Sequence, residues 1–130
     1  MKNRYKKYKG TARKSVRENE AGKKGCFMNA QMKKGILELT VLNEIDKSDI
    51  YGYELVKRLC EYYVDVDISS YYTILRRLNG KAYIQCYEGE VSGGPQRKYY
   101  SITEDGKKYL RERKLELQHM NQMNQQLGLA

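Results

Sequence analysis

The sequence has no tryptophan, one histidine and three cysteines among its 130 residues. The absence of tryptophan excludes a binding pocket built on stacked indole rings. Cys26, Cys60 and Cys86 are widely spaced and odd in number, so we expect neither a disulfide framework nor a metal site. We interpret Cys60 and Cys86 as small buried apolar side chains, with a redox switch as the less favoured alternative.

Long apolar runs are also absent. No stretch is long enough to span a bilayer, and residues 1–7 lack the apolar run of a secretory signal. The single histidine, His119, has no Ser-His-Asp or Cys-His context, and residues 89–94 lack the Lys-Ser/Thr ending of a phosphate-binding loop. These absences argue against an enzyme, a bound cofactor, a metal and a membrane partner, and they favour the reducing cytoplasm.

The net charge of +9 is distributed unevenly along the chain. Residues 1–24 contain ten Lys or Arg and two Glu, whereas residues 25–130 contain fifteen Lys or Arg and fourteen Asp or Glu. Residues 1–28 have few aliphatic side chains, so we predict a disordered basic arm followed by a nearly neutral folded body. The arm is interpreted either as an adhesive for nucleic acid or as a solvated tail.

Apolar residues at helical spacing predict three helices after the arm, at residues 30–45, 50–62 and 68–80. Polar breaks separate them, and Asp67 is positioned to cap the third helix. Two segments rich in β-branched and aromatic residues, 83–88 and 98–102, then flank a glycine-rich stretch and predict a hairpin.

Acidic residues after Thr103 mark the start of a long final helix that extends to about residue 127. We therefore expect a mainly α fold with a small β-hairpin, in the order of a winged helix-turn-helix. Residues 29–104 would form the DNA-binding domain, and residues 105–130 a C-terminal dimerisation helix.

The third predicted helix has two chemically different faces. Tyr71, Leu75 and Leu78 share an apolar face, whereas hydroxyl side chains and arginines occupy the opposite one. Short hydroxyls can approach base edges in a major groove, and arginine can contact guanine or phosphate. We favour recognition over an ordinary solvated face, which would more often carry Glu and Lys. The polar face comprises Ser69, Ser70, Thr73, Arg76 and Arg77, with Tyr72 at its flank.

The hairpin offers a second contact, because residues 92–95 have no bulky side chains and Arg97 and Lys98 follow at once. Such a loop can lie against a phosphate backbone, although a hairpin with charged edges has the same pattern. Tyr51 is interpreted as a phosphate contact, with a half-buried core aromatic as the alternative. Gly52 is interpreted as allowing two helices to pack closely.

The final helix carries apolar residues at a/d-like spacing, namely Leu110, Leu117, Met120 and Leu127. An amphipathic helix beyond a complete domain favours a homodimer interface, with packing back on its own domain as the alternative. Met120 and Met123 supply adaptable surface that suits an interface and also an apolar ligand.

Three segments resemble the PadR family of bacterial transcriptional regulators: YGYEL at 51–55, YTILRRL at 72–78 and, most specifically, SGGPQRKYYSIT at 92–103. The resemblance spans about residues 31–110 and excludes the basic arm. It implies a winged-helix repressor, dimeric through its C-terminal helix, whose third helix reads the major groove and whose hairpin touches the backbone or minor groove. By position it implies DNA contacts at Tyr51, Ser69, Ser70, Tyr72, Thr73 and Arg76, and wing contacts at Arg97 and Lys98.

The sequence departs from the family pattern at two positions of the third helix. Members often have proline where Thr73 stands and leucine where Tyr71 stands. Both changes are mild for the fold and bear on base preference.

We predict a sequence-specific transcriptional regulator that binds double-stranded DNA as a homodimer. The resemblance implies a repressor released by a small apolar or aromatic ligand, in the bacterial cytoplasm and nucleoid-associated when bound. One alternative is a nonspecific or architectural nucleic-acid-binding protein driven by the arm. Another is a dimeric module whose winged domain binds protein. The nearly neutral body favours the first, because its affinity must come from placed contacts rather than bulk charge.

Overall fold

The computed structural model of the protein describes residues 16–18, 24–26, 30–89 and 97–130, with side chains described at 35–89 and 97–130. Its helices are α1 (Ala30–Lys47), α2 (Gly52–Tyr62), α3 (Ile68–Gly80) and α4 (Glu104–Gln126). Its strands are β1 (Val16–Glu18), β2 (Lys24–Cys26), β3 (Ile50–Tyr51), β4 (Ile84–Gly89) and β5 (Arg97–Ile102). The predicted mainly α fold with a small hairpin is confirmed, and each predicted helix and hairpin strand ends within two residues of its observed bounds.

The wing is a three-stranded antiparallel sheet in the order β3-β5-β4. Its hairpin pairs β4 with β5 from Ile84 opposite Ile102 to Gly89 opposite Arg97. The third strand, β3, is a difference from the sequence prediction, which assigned these residues to the first turn of α2. Ile50 and Tyr51 have side chains that favour strands, and pairing with β5 satisfies backbone groups that precede the helix.

The core lies between α1, α2 and α3 and is closed by β4 and the first turns of α4. Its fully buried large side chains are Tyr71, Leu42, Ile45, Leu55, Leu59, Leu75, Leu78 and Ile84. Tyr71 is the largest of these side chains, and its buried hydroxyl donates a hydrogen bond to the carbonyl of Leu59 at 3.4 Å. Burial raises the pKa of Tyr71, and the hydrogen bond avoids the cost of an unsatisfied hydroxyl.

Two carboxylates connect α1 to the other helices. Glu44, whose side chain is 10% exposed, accepts hydrogen bonds from Lys47 at 2.7 Å and from Arg58 of α2 at 2.9 Å. Burial acts to raise the pKa of Glu44, but the two cations outweigh burial and hold that pKa below 4.5. Glu38 bridges two helices, because it pairs with Arg77 of α3 at 3.2 Å and accepts from the Tyr109 hydroxyl of α4 at 3.1 Å.

The start of α4 is packed tightly against the wing. Thr103 is the N-cap residue, and its Oγ1 accepts from the Gly106 amide at 3.0 Å and donates to the carbonyl of Ala82 at 2.7 Å. Gly106 is buried, and a Cβ atom there would overlap the carbonyl oxygen of Tyr83. Glycine is therefore required for the helix to begin at this distance from the wing.

Part of the basic arm has regular structure, which the sequence did not predict. Strands β1 and β2 pair antiparallel, with Val16 opposite Cys26 and Glu18 opposite Lys24. The rest of residues 1–29 lies outside the described residues, so a disordered arm stays a prediction there. None of the described helices combines the length and hydrophobicity needed to cross a bilayer.

Candidate nucleic-acid interface

Helix α3 separates an apolar face from a polar one as its periodicity predicted. Tyr71, Ile74, Leu75 and Leu78 are buried against the body of the protein. On the other side Ser69, Thr73, Arg76 and Arg77 are exposed, while Ser70 and Tyr72 are half-buried. The five predicted DNA-contact residues of this helix therefore reach the surface, with short side chains at its N-terminal end and arginines further along.

A hydrogen-bond chain runs along the exposed face of α3. The hydroxyl of Thr73 donates to the carbonyl of Ser69 at 2.9 Å and accepts from Nη2 of Arg76 at 3.4 Å. Thr73 thus orients Arg76, which a proline at this position cannot do because it has no hydroxyl. Burial raises the pKa of Tyr100 on β5, and the charge of Arg76 acts against this rise.

The predicted cap of α3 is corrected in one respect. Asp67 is the N-cap residue with an extended backbone, as expected, but its carboxylate makes no capping hydrogen bond. The first turn is closed instead through the backbone, where the Ser70 amide donates to the Asp67 carbonyl at 3.0 Å.

Arg77 differs from its neighbours on the polar face. Its guanidinium is engaged by Glu38, which in turn binds the hydroxyl of Tyr109. The Tyr109 ring stacks on the Tyr83 ring, with 4.4 Å between centroids, and the Arg113 guanidinium lies 5.0 Å from the centroid of the Tyr109 ring. Arg77 is therefore part of a connection from α3 to α4 as well as a surface cation.

The wing brings Tyr51 and Arg97 together. Tyr51 is half-buried, and the Arg97 guanidinium carbon lies 4.7 Å from the centroid of its ring. Lys98 is exposed but belongs to the opposite face of β5, because successive residues of a strand alternate. The two predicted wing cations therefore do not share a surface. The hairpin tip at residues 90–96, also predicted to touch the backbone, lies outside the described residues.

Gly52 has the packing role that we favoured, although its neighbour is a strand rather than a helix. A Cβ atom at Gly52 would lie 2.9 Å from the ring of Tyr100 on β5. The cysteine interpretation is right for Cys60, which is buried, and burial raises the pKa of its thiol to about 12. It is wrong for Cys86, which shares a face of β4 with buried Ile84 but is exposed, because β4 is buried only at Ile84 and is exposed from the next residue on.

The apolar series on α4 divides into two parts. Leu110 is 2% exposed and belongs to the core of its own chain, so its assignment to an intermolecular seam is wrong. Met120 and Leu127 are 52% and 72% exposed, and Leu117 is half-buried. Further large apolar side chains are exposed near them, namely Leu115, Met123 and Leu129. The last turns of α4 thus carry apolar surface with no partner among the described residues.

Sequence reasoning missed an aromatic group beside Tyr51. Tyr53 of α2 and Tyr99 of β5 lie next to Tyr51, and Tyr87 of β4 lies on the far side of Tyr99. The Tyr87 hydroxyl donates to Asp49 at 2.7 Å. This hydrogen bond raises the pKa of Tyr87. Pairing the two predicted hairpin strands in register would have found part of the group, because Tyr87 lies directly opposite Tyr99.

Three helices followed by a hairpin, with hydroxyls and arginines exposed on the third helix, define a winged helix-turn-helix protein. A family model described as the transcriptional regulator PadR-like family matches residues 41–112. The chain therefore belongs to the PadR-like family of transcriptional regulators, and the predicted family membership is confirmed. It follows that the protein acts in DNA-binding regulation and is not an enzyme.

Solved structures support the same assignment. A PadR-like transcriptional regulator from Bacillus cereus is 33% identical, with a TM-score of 0.70 over 78% of this chain and 99% of that one. A PadR family transcription regulator from Clostridium difficile is 30% identical, with a TM-score of 0.65 over 72% and 98% of the two chains. An uncharacterized protein of Lysinibacillus sphaericus is 37% identical over 82 residues, which are 61% of this chain and 75% of that protein.

Proposed function

We propose that the protein is a sequence-specific repressor that binds its operator as a homodimer and is released by a small apolar or aromatic ligand. The observation that carries the proposal is the exposed face of α3. Its hydroxyls can contact base edges, and Arg76, oriented by Thr73, is placed to contact a guanine or a phosphate. In this proposal Ser69, Ser70, Tyr72 and Thr73 also face the major groove.

The distribution of charge supports specific rather than bulk electrostatic binding. Residues 25–130 contain nearly equal numbers of basic and acidic side chains. A nearly neutral body gains little from nonspecific attraction to phosphate, so its affinity depends on individual contacts. Arg97 on the wing supplies one such contact to the backbone, and Lys98 supplies a second from the other face of β5.

The exposed apolar residues of α4 support dimerisation through this helix. Leu117, Met120 and Leu127 lie beyond the last core residue of the helix. A two-fold axis along this segment would bring two copies of α3 to half-sites about one helical turn of DNA apart, which is about 34 Å. The second contact is then effectively intramolecular and strengthens binding. A dimer on an operator in the bacterial cytoplasm, associated with the nucleoid, would exclude polymerase and so repress.

The apolar segment of α4 is also the better place for an apolar inducer. The groove between α1 and α3 has a volume of about 710 Å³, but its lining combines Leu37, Val66 and Ile74 with many charged and hydroxyl groups, including Glu38, Asp65 and Arg77. Met120 and Met123 offer flexible apolar side chains instead, which adapt to varied ligands.

The experiment is a selection of bound duplexes from a random pool, followed by affinity measurements on the selected and a random duplex. We expect the selected duplex to bind at least about 1000-fold more tightly. Arg76→Ala should weaken binding to the selected duplex by about 1–3 kcal/mol if Arg76 contacts a base, and should weaken both duplexes equally if it contacts phosphate. Transcription in vitro from a promoter carrying the selected site then tests repression.

A nonspecific nucleic-acid-binding or architectural role is the second candidate, because ten of the 25 basic residues lie in residues 1–24. It predicts equal affinity for selected and random duplexes and a steep dependence on salt. Failure to bind any duplex would instead favour a module whose winged domain binds protein.

A further inference from the structure

Three tyrosines form a row across the outer face of the wing. Tyr51 of β3 and Tyr87 of β4 each lie directly opposite Tyr99 of β5. Directly opposite residues in antiparallel strands project from the same face, so the three rings are neighbours. The centroid distances are 5.9 Å from Tyr51 to Tyr99 and 5.8 Å from Tyr87 to Tyr99, within the range of favourable aromatic pairs.

Both ends of the row are anchored. At one end the Tyr87 hydroxyl donates to the carboxylate of Asp49, which immediately precedes β3, at 2.7 Å. At the other end the ring of Tyr53, from the first turn of α2, lies 5.9 Å from that of Tyr51. The rings therefore connect the three strands to the start of α2.

Gly89 provides the space that the central ring occupies. A Cβ atom at Gly89 would lie 2.5 Å from Cε1 of Tyr99, so the Tyr99 ring lies across this glycine. Gly89 is also directly opposite Arg97 in the register of the hairpin. The ring of Tyr99 consequently fills the surface beside Arg97 and restricts where the arginine side chain can extend.

Arg97 lies at the point where this row meets the wing. It is half-buried, and its guanidinium lies over the Tyr51 ring at 4.7 Å from the centroid. No carboxylate among the described residues forms an ion pair with it, so its charge is available to a polyanion. A guanidinium that lies over an aromatic face still has N–H donors at the edge of its own plane that are free for a phosphate.

We infer that Tyr51 is a positioning residue for DNA binding, whose ring holds the Arg97 guanidinium toward a backbone phosphate. The inference rests on the proposed function and deepens it. It differs from the interpretation of Tyr51 as a direct phosphate contact, because it assigns the effect to the ring and not to the hydroxyl. Holding a long flexible side chain before binding lowers the entropy that the phosphate contact costs.

The first test measures the stack without DNA, in the full-length protein. Protons of the Arg97 side chain should show an upfield ring-current shift in NMR spectra. Tyr51→Phe should retain this shift and Tyr51→Leu should remove it. Arg97 signals that are unchanged in Tyr51→Leu would contradict the inference, whatever the protein does with DNA.

The second test measures affinity for the selected duplex at several salt concentrations. Tyr51→Phe should bind within about twofold of the wild type. Tyr51→Leu should bind about three- to tenfold more weakly, as expected when one long flexible side chain must be ordered on binding. Arg97→Ala should weaken binding further and reduce the salt slope by about 0.9. In the Arg97→Ala background, Tyr51→Leu should have no additional effect.

The outcomes separate the inference from the proposed function. A wild type that does not prefer the selected duplex contradicts the proposed function, while the NMR test still decides the stack. A wild type that prefers it, with Tyr51→Phe as weak as Tyr51→Leu, overturns the positioning role and assigns the contact to the hydroxyl. If Tyr51→Leu does not fold, Arg97→Lys replaces it, since lysine keeps the charge but not the planar stack. Arg97→Lys with wild-type affinity would also overturn the inference.

Discussion

Replacing Gly106 by alanine sets two effects of opposite sign against each other. Alanine is favoured over glycine inside a helix by about 1 kcal/mol, which alone would stabilise the first turns of α4. The added Cβ atom, however, would overlap the carbonyl oxygen of Tyr83 and lie 2.8 Å from Cγ1 of Ile102. The carbonyl belongs to the backbone at the start of the wing and cannot rotate away, so either α4 or the wing must move.

The steric effect should dominate. Overpacking of a well-packed interior costs about 1–3 kcal/mol, and a clash with backbone belongs at the upper end of that range. The shift would also lengthen the capping hydrogen bond from the Gly106 amide to Thr103, whose loss costs about 1 kcal/mol. We therefore expect Gly106→Ala to reduce the free energy of unfolding by about 2–3 kcal/mol after the gain in helix propensity is subtracted.

Urea unfolding followed by far-UV circular dichroism checks this value. Gly80→Ala is the matched control, because Gly80 ends α3 and has no heavy atom within 4 Å of the position of an added Cβ. We expect Gly80→Ala to leave stability unchanged or to raise it by up to about 1 kcal/mol. Equal effects of the two substitutions, or a Gly106→Ala protein as stable as the wild type, would refute the argument from close packing.

Four further predictions concern the core, the proposed dimer helix, the ion pairs of Glu44 and the arm. Leu110→Ala should lower the free energy of unfolding by about 2–5 kcal/mol without changing the dimerisation constant of the folded protein, and a monomeric Leu110→Ala would contradict the core assignment. Leu117→Glu combined with Met120→Glu should instead dissociate the dimer and keep the helices. Urea unfolding measures the stability of each variant, and sedimentation measures its oligomeric state. Glu44→Gln should cost about 1–2 kcal/mol at pH 7, because Lys47 and Arg58 stay partly solvated. Folding lowers the pKa of Glu44, so the stability that this carboxylate contributes is fully present above the ordinary pKa of 4.5 and is lost as the pH falls through the lower pKa of the folded protein. The wild type and Glu44→Gln should therefore become equally stable well below pH 4.5. A stability difference that persists there would be inconsistent with this linkage. Deleting residues 1–28 should reduce the salt slope of duplex binding by about 0.9 for each phosphate that the arm neutralises, and an unchanged slope would show that the arm makes no such contact.

The helices were predictable because apolar periodicity is a local signal that persists over several turns. Helix α3 was predicted with its observed ends, Ile68 and Gly80, and with its correct buried face. Strand β3 was not, because two residues are too few to show a period and their partner, β5, lies far along the chain. Pairing that depends on distant residues leaves little trace in local sequence.

The errors at the site share one cause, which is that spacing does not specify what a side chain packs against. Leu110 shares its spacing with Leu117 and Met120, yet it contacts the core of its own chain. Cys86 lies in an apolar strand pattern and on the same face of β4 as buried Ile84, but the strand is exposed beyond Ile84. The stack of Arg97 on Tyr51 was likewise hidden, because the two residues meet only after three strands have paired.

The bridge at Glu38 has a consequence for how this sequence can change over evolutionary time. One carboxylate serves both Arg77 and Tyr109, so its replacement would leave a guanidinium without its counter-charge and a half-buried phenol without its acceptor at once. Replacing Arg77 or Tyr109 alone removes one of the two side chains that stabilise the Glu38 carboxylate. We therefore expect relatives to exchange the three positions together rather than one at a time. The permitted substitutions on the exposed face of α3 are thus tied to Tyr109, a residue of α4 that lies outside that face.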